Sequence, residues 1–181
     1  MKPSFKNQLY SWGRSILFAL ILVIICRYFI FSPIAVHGES MLPTFEDNDR
    51  LVISKVSSIE RFDIVVFEAP HKNEQYIKRV IGIPGDSVQV KDDVLYINGT
   101  VYEEKYVNKK LDLSLYNKLT GDFKLQDYTS EKTVPEGHYF VLGDNRWKSS
   151  DSREFGFISA NSIIGEVKFR YYPFQDTGIP K

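Results

Sequence analysis

Three segments of the 181-residue sequence carry side chains that could do hydrolytic chemistry. Ser40 lies in the first, GESMLPT, and a serine hydroxyl becomes a nucleophile when a base takes its proton. Lys78 and Arg79 lie side by side in the second, YIKRVIG, which otherwise has the pattern of an apolar strand. Because neighbouring residues of a strand point to opposite faces, at least one cation is expected where charge is costly. A lysine can lose its proton there, whereas an arginine cannot.

The third segment, GDNRWKSSDSR at 143–153, follows a predicted strand and contains two Asp/Arg pairs and three serines. Each segment taken alone also has a simpler interpretation. Ser40 could be a turn-forming hydroxyl, the two cations could extend to solvent at a sheet edge, and the third segment could be a structural turn.

The composition argues against several other classes of site. The single cysteine, Cys26, excludes an intrachain disulfide and a multi-cysteine zinc site. The three histidines, His37, His71 and His138, lack the helical spacing of zinc proteases. The 23 basic residues are balanced by 23 acidic ones, so a nucleic-acid-binding protein is not expected. We predict no metal and no cofactor.

Short β-branched runs after residue 50 predict that strands position these segments. The runs include LVI at 51–53, DIVVF at 63–67 and HYFVL at 138–142. Two further short runs flank Asn98-Gly99, which predicts a β-hairpin with a type I′ turn. Residues 103–133 have weak periodicity and are predicted to form an insertion or small subdomain.

The N-terminal part predicts a membrane anchor. Residues 16–31 are almost entirely apolar, and Pro33 is expected to end the helix, which gives an anchor at 16–32. Residues 1–32 carry four basic side chains and no acidic ones. The positive-inside rule therefore places residues 1–15 in the cytoplasm and 33–181 outside the cell. A cleaved signal peptide would need a small-x-small site after the apolar run, and none is evident.

Taken together, in this order and behind one anchor, the three segments resemble the bacterial type I signal peptidases, in particular the forms from Gram-positive bacteria. The resemblance extends over essentially the whole chain. It implies a mostly-β, signal-peptidase-type sheet domain with a small inserted subdomain on a single N-terminal transmembrane helix. It also implies a serine endopeptidase with a Ser/Lys dyad.

The resemblance assigns roles to individual residues. It makes Ser40 the nucleophile and Lys78 the general base, with Ser149 orienting the lysine amine. Two ion pairs are expected to support the site: Asp151 with Arg153 and, more loosely, Asp144 with Arg146. The backbone N–H of Ser40 is the first oxyanion donor. Related enzymes draw a second donor from the position of Gly38, which has no side chain here, so the identity of that donor stays open.

The resemblance also implies the partners. Substrates are exported preproteins with small residues at −3 and −1, cleaved at the outer surface of the lipid bilayer, and neither metal nor nucleic acid is involved. The substrate pocket is expected to be lined by apolar residues around the dyad, namely Ile34, Val36, Met41, Phe45, Tyr76 and Ile77.

Three alternatives remain at this stage. A Ser–His enzyme would use His138 or His71 as the base. The self-cleaving repressors share a Ser/Lys dyad, but they need a DNA-binding domain where this chain has an apolar segment. A catalytically silent, membrane-anchored binding or scaffold protein would have the same fold.

Overall fold

The computed structural model describes residues 5–70, 72–107 and 118–180. One long apolar helix, α1, leads into two antiparallel β-sheets. The mostly-β fold predicted from the sequence is confirmed.

Helix α1 spans Phe5–Ile25 and continues into a π-helical turn, Cys26–Ile30. At ~1.5 Å per residue, α1 is roughly 30 Å long, which matches the hydrocarbon thickness of a bilayer. Its stretch Gln8–Ile25 is long and apolar enough to span a membrane, and none of that stretch is buried within the protein.

The helix differs from the predicted anchor at 16–32 at both ends. It begins earlier, and residues 31–32 belong to strand β1, Phe31–Ala35. This strand pairs with Arg50–Ser54 and lies at the edge of the sheet. Pro33 is tolerated there because an edge strand does not need every N–H for pairing.

The larger sheet has seven strands. Besides β1, they are β2 (Arg50–Ser54), β3 (Ile64–Glu68), β4 (Gln75–Gly82), β9 (His138–Leu142), β10 (Ile158–Ser159) and β11 (Ile163–Tyr172). Their order in the sheet is β1-β2-β11-β3-β4-β9-β10. Strand β4 is paired on both sides, with β3 and β9, so its side chains project from the interior of the sheet.

The smaller sheet consists of β5 (Val88–Lys91), β6 (Val94–Ile97), β7 (Thr100–Tyr102) and β8 (Phe123–Lys124), in the order β7-β6-β5-β8. The hairpin of β6 and β7 turns through Asn98 and Gly99, whose φ angles of 54° and 77° are the positive values of a type I′ turn, as predicted.

The described part of segment 103–133 does not form a separate unit. Its strand β8 pairs with β5, and Phe123 packs in one core with Ile81 and Phe140 of the larger sheet. Residues 108–117 lie outside the described residues. Short helices complete the fold at Leu125–Tyr128, Ser152–Phe155, Ala160–Ser162 and Phe174–Asp176.

Candidate active site

The loop that carries Ser40 is closed at its base and anchored in the core. The N–H of Val36 donates to the carbonyl of Asp49 at 2.8 Å, and the N–H of Asn48 donates to the carbonyl of Val36 at 2.9 Å. Met41 and Phe45 are fully buried in the core beside β2. These contacts hold the loop against the sheet, with Ser40 at the edge of a cleft.

Lys78 projects from β4 toward this loop. Its Nζ donates to Ser40 Oγ at 2.8 Å and to the carbonyl oxygen of Ile77 at 3.0 Å. The side chain is only 3% exposed. Burial lowers the pKa of Lys78 to about 8, and the carboxylates of Asp151 and Asp144 oppose part of this shift. An amine in this state can accept the hydroxyl proton near neutral pH.

Arg79, on the opposite face of β4, is also buried, so neither cation reaches solvent at a sheet edge. Its guanidinium donates two hydrogen bonds to Asp144, at 2.9 and 2.7 Å, and lies over the Tyr106 ring at 4.0 Å. The hydroxyl of Thr44, four residues after Ser40, donates to the same carboxylate at 2.5 Å. This network ties the serine loop to β4.

The predicted pair of Asp151 and Arg153 is present, with two hydrogen bonds of 2.8 Å. The carboxylate of Asp151 also accepts the N–H of Gly143 at 3.0 Å, and Arg153 donates to the carbonyl of Arg146 at 2.6 Å. The pair therefore braces the loop that follows β9.

The prediction of an ion pair between Asp144 and Arg146 is wrong. Asp144 binds Arg79, whereas Arg146 forms a buried ion pair with Glu104. The spacing of two residues in a loop does not specify that two side chains face each other, and here they turn to different sheets. Glu104 was missed because it lies in the weakly patterned segment 103–133.

Ser149 is half-buried close to the nucleophile loop, with its Oγ atom buried, but it does not bind the lysine amine. Its Oγ makes no hydrogen bond within the described part of the chain. The amine is already bonded to Ser40 and Ile77, and Ser149 packs against Gly143 instead. A Cβ on Gly143 would lie 2.2 Å from Ser149 Oγ and 2.6 Å from the carbonyl oxygen of Ser40, so only glycine fits there.

The backbone amide of Gly38 is already engaged. It donates to Asp47 Oδ1 at 2.9 Å, from a residue with φ of +84°. This N–H is therefore not the second oxyanion donor in the structure. The N–H of Ser40, by contrast, donates to no protein acceptor among the described residues.

A cleft of about 990 Å³ opens beside the dyad. Of the six predicted pocket residues, five line it: Ile34, Val36, Met41, Tyr76 and Ile77. Phe45 does not, because its side chain is buried in the core below the loop. The cleft runs along β1 and β4, and the polar side chains of Glu39 and Lys148 lie at its rim.

The described residues give little support for a histidine base or a metal site. His138 Nδ1 lies 3.0 Å from the carbonyl oxygen of Glu136 and does not line the cleft, and His71 lies outside the described residues. His37 lines the cleft without a hydrogen bond to Ser40 in the described part of the chain. No group of three or more potential metal ligands occurs among the described residues.

Comparisons with known proteins agree with this geometry. The family described as "Signal peptidase, peptidase S26" matches residues 9–172. A signal peptidase I from Bacillus caldolyticus is 48% identical over 161 residues, covering 87% of this chain and 88% of that protein. A signal peptidase IB from Staphylococcus aureus is 41% identical over 179 residues, covering 94% of this chain and 93% of that protein.

A crystal structure of a signal peptidase I from Enterococcus faecalis V583 is similar in fold. It has 42% sequence identity and a TM-score of 0.54, and the match covers 61% of this chain and 97% of that chain. The resemblance seen in the three sequence segments is thus confirmed, and the chain belongs to the peptidase S26 family of signal peptidases.

Proposed function

We propose that this protein is a membrane-anchored signal peptidase I, a serine endopeptidase in which Ser40 is the nucleophile and Lys78 the general base. The observation that carries this proposal is the 2.8 Å contact between Lys78 Nζ and Ser40 Oγ beside an open cleft. The contact joins a buried amine, with its pKa lowered to about 8, to a hydroxyl on a well-anchored loop.

Acylation follows from this contact. Neutral Lys78 takes the proton of Ser40, and Oγ forms a bond to the scissile carbonyl carbon. The carbonyl oxygen carries the negative charge of the tetrahedral intermediate, which the N–H of Ser40 stabilises. When the C–N bond breaks, the lysine ammonium passes its proton to the leaving amine, so the amine departs neutral.

Deacylation repeats the same transfers with water. Lys78, neutral again, takes a proton from a water molecule that attacks the ester carbonyl. The ester bond then breaks, the proton returns to Ser40 Oγ, and a carboxylic acid is released. The enzyme regains its starting state without a cofactor.

The cleft supports cleavage after small side chains. Near Ser40 its walls are formed by Val36, Met41 and Ile77, and the first two are almost fully buried. A large substrate side chain would have to displace well-packed core residues, which is costly. We therefore propose exported preproteins with small residues at −3 and −1 as substrates.

Helix α1 supports attachment to the lipid bilayer, and the basic residues Lys2, Lys6 and Arg14, which precede the apolar run that starts at residue 16, favour a cytoplasmic N-terminus with the catalytic domain outside. Ser40 follows the last helical residue, Ile30, by ten residues. At ~3.4 Å per residue, Ser40 lies within roughly 34 Å of the helix end. This reach suits cleavage where a preprotein emerges from the membrane.

The proposal is tested by cleavage of a preprotein with an Ala-x-Ala site in detergent. We expect wild type to cut after the second alanine, and Ser40→Ala and Lys78→Ala to lose activity by at least a thousandfold. The matched controls Ser58→Ala and Lys132→Ala change exposed residues away from the cleft and should keep wild-type rates. Substantial cleavage by either dyad variant, with folding intact by circular dichroism, would contradict the assignment.

A further inference from the structure

We propose that Asn145 is a positioning residue whose side-chain amide orients the Glu39–Ser40 peptide, so that the N–H of Ser40 points at the developing oxyanion. This inference rests on the proposed function of Ser40 as the nucleophile. It assigns to the third sequence segment a contribution to transition-state stabilisation in addition to its ion pairs.

Asn145 binds both carbonyl groups that flank the nucleophile. Its Nδ2 donates to the carbonyl oxygen of Glu39 at 3.1 Å, and its backbone N–H donates to the carbonyl oxygen of Ser40 at 3.0 Å. The residue lies in the loop after β9, more than a hundred positions downstream of the serine. One residue therefore fixes the peptide groups on both sides of Ser40.

The side-chain contact sets the direction of the Ser40 N–H. The Glu39–Ser40 peptide is trans, because the cis bonds in the described residues are confined to Leu42–Pro43 and Tyr172–Pro173. In a trans peptide the C=O and the N–H point in opposite directions. Holding the Glu39 carbonyl toward Asn145 therefore turns the N–H of Ser40 the other way, where it meets no acceptor within residues 5–70, 72–107 and 118–180.

One other hydrogen bond restrains the same peptide: the N–H of Leu42 donates to the Glu39 carbonyl oxygen at 3.2 Å, from within the serine loop itself. Glu39 is exposed and follows Gly38, whose positive φ and missing Cβ leave the backbone freer to rotate. The Glu39 carboxylate does bind Lys148 at 2.7 Å, but both side chains are largely exposed. An exposed ion pair contributes little and does not hold the peptide plane.

Replacing the Asn145 side chain separates two functions of the residue. The backbone N–H that holds the Ser40 carbonyl is kept in any variant, so the position of Ser40 Oγ beside Lys78 should be preserved. The bond from the side chain to the Glu39 carbonyl is lost, so that carbonyl is held only by the N–H of Leu42 and the peptide plane is less restrained. Its loss should weaken binding of the oxyanion without changing proton transfer or ground-state binding.

The test compares Asn145→Ala and the uncharged isostere Asn145→Leu with wild type and with Asn161→Ala, an exposed asparagine outside the cleft. Because removing a direct oxyanion donor costs ~10²–10³ in kcat, releasing its orientation should lower kcat about ten- to a hundredfold. KM should stay within about twofold, and the pH midpoint of kcat/KM should not move. The affinity for a peptide boronate, which mimics the tetrahedral intermediate, should fall by the same factor as kcat.

Wild-type kcat in both Asn145 variants would overturn the proposal. A lower kcat with unchanged boronate affinity would also overturn it, and so would a lower kcat with a shifted pH midpoint. Either result would mean that Asn145 acts on Lys78 or on the fold. The proposed function is tested separately, because it fails only if Ser40→Ala or Lys78→Ala cleaves the substrate.

Discussion

The lowered pKa of Lys78 predicts the pH dependence of the enzyme. The ordinary lysine value of 10.5 is lowered to about 8, chiefly by burial. At pH 7 an amine with the lowered value is roughly 9% neutral, and one with the ordinary value is about 0.03% neutral, a difference of about 300-fold. Because only the neutral amine can act as a base, activity should increase as the pH rises through 8.

The assay is kcat/KM for a fluorogenic peptide with an Ala-x-Ala site, measured from pH 5.5 to 10 in detergent. This parameter reports the pKa of the free enzyme. We expect a rise of about tenfold from pH 6 to 7, about fivefold from pH 7 to 8, and less than twofold from pH 8 to 9. Circular dichroism at each pH checks that the protein stays folded.

Lys78→Arg is the control for this profile, because a guanidinium stays charged throughout the range and should give no activity at any pH. A midpoint near 6.5 would indicate a histidine base. A midpoint near 10.5 would indicate a solvated lysine. Either result, or activity in Lys78→Arg, would refute the reasoning.

Three further predictions concern stability and packing. The pKa of Lys78 is lower in the folded protein than in the unfolded chain, so protonation of this amine favours unfolding. Lys78→Met should therefore be more stable than wild type by up to about 3 kcal/mol at pH 7 in urea unfolding, and this gain should disappear between pH 8 and 10.5. A gain that stays constant with pH would contradict this. Gly143→Ala should reduce kcat at least a hundredfold, because its Cβ would lie 2.6 Å from the Ser40 carbonyl oxygen; wild-type kinetics would exclude the clash. Glu104→Gln should destabilise the protein by about 3–5 kcal/mol by leaving Arg146 buried without its carboxylate, whereas the exposed Glu103→Gln should change stability by less than about 0.5 kcal/mol.

The sequence predicted the parts of the site in which the residue type is unusual for its position. Two cations within an apolar strand require an explanation, and both proved to be buried, with Lys78 in contact with Ser40. The pair of Asp151 and Arg153 was also predicted and is present. The family is confirmed by the comparisons, while the catalytic roles stay predictions until they are tested.

Other features could not be read from the sequence because they depend on tertiary packing. Phe45 is apolar and close to the nucleophile, but sequence cannot distinguish a pocket wall from the core beneath it. The partners of Asp144 and Arg146 come from β4 and from segment 103–133, at separations that no local pattern reveals. The contacts of Asn145 with the serine loop are of the same kind.

The most direct test of the central claim is to identify the residue that forms the acyl-enzyme. A slowly turned-over ester substrate is mixed with the full-length protein in detergent, quenched in acid, and analysed by peptide mass spectrometry. We predict that the acyl group is found on Ser40, and that Lys78→Met slows its formation at least a thousandfold without preventing substrate binding. An adduct on another residue, or wild-type acylation in Lys78→Met, would contradict the account.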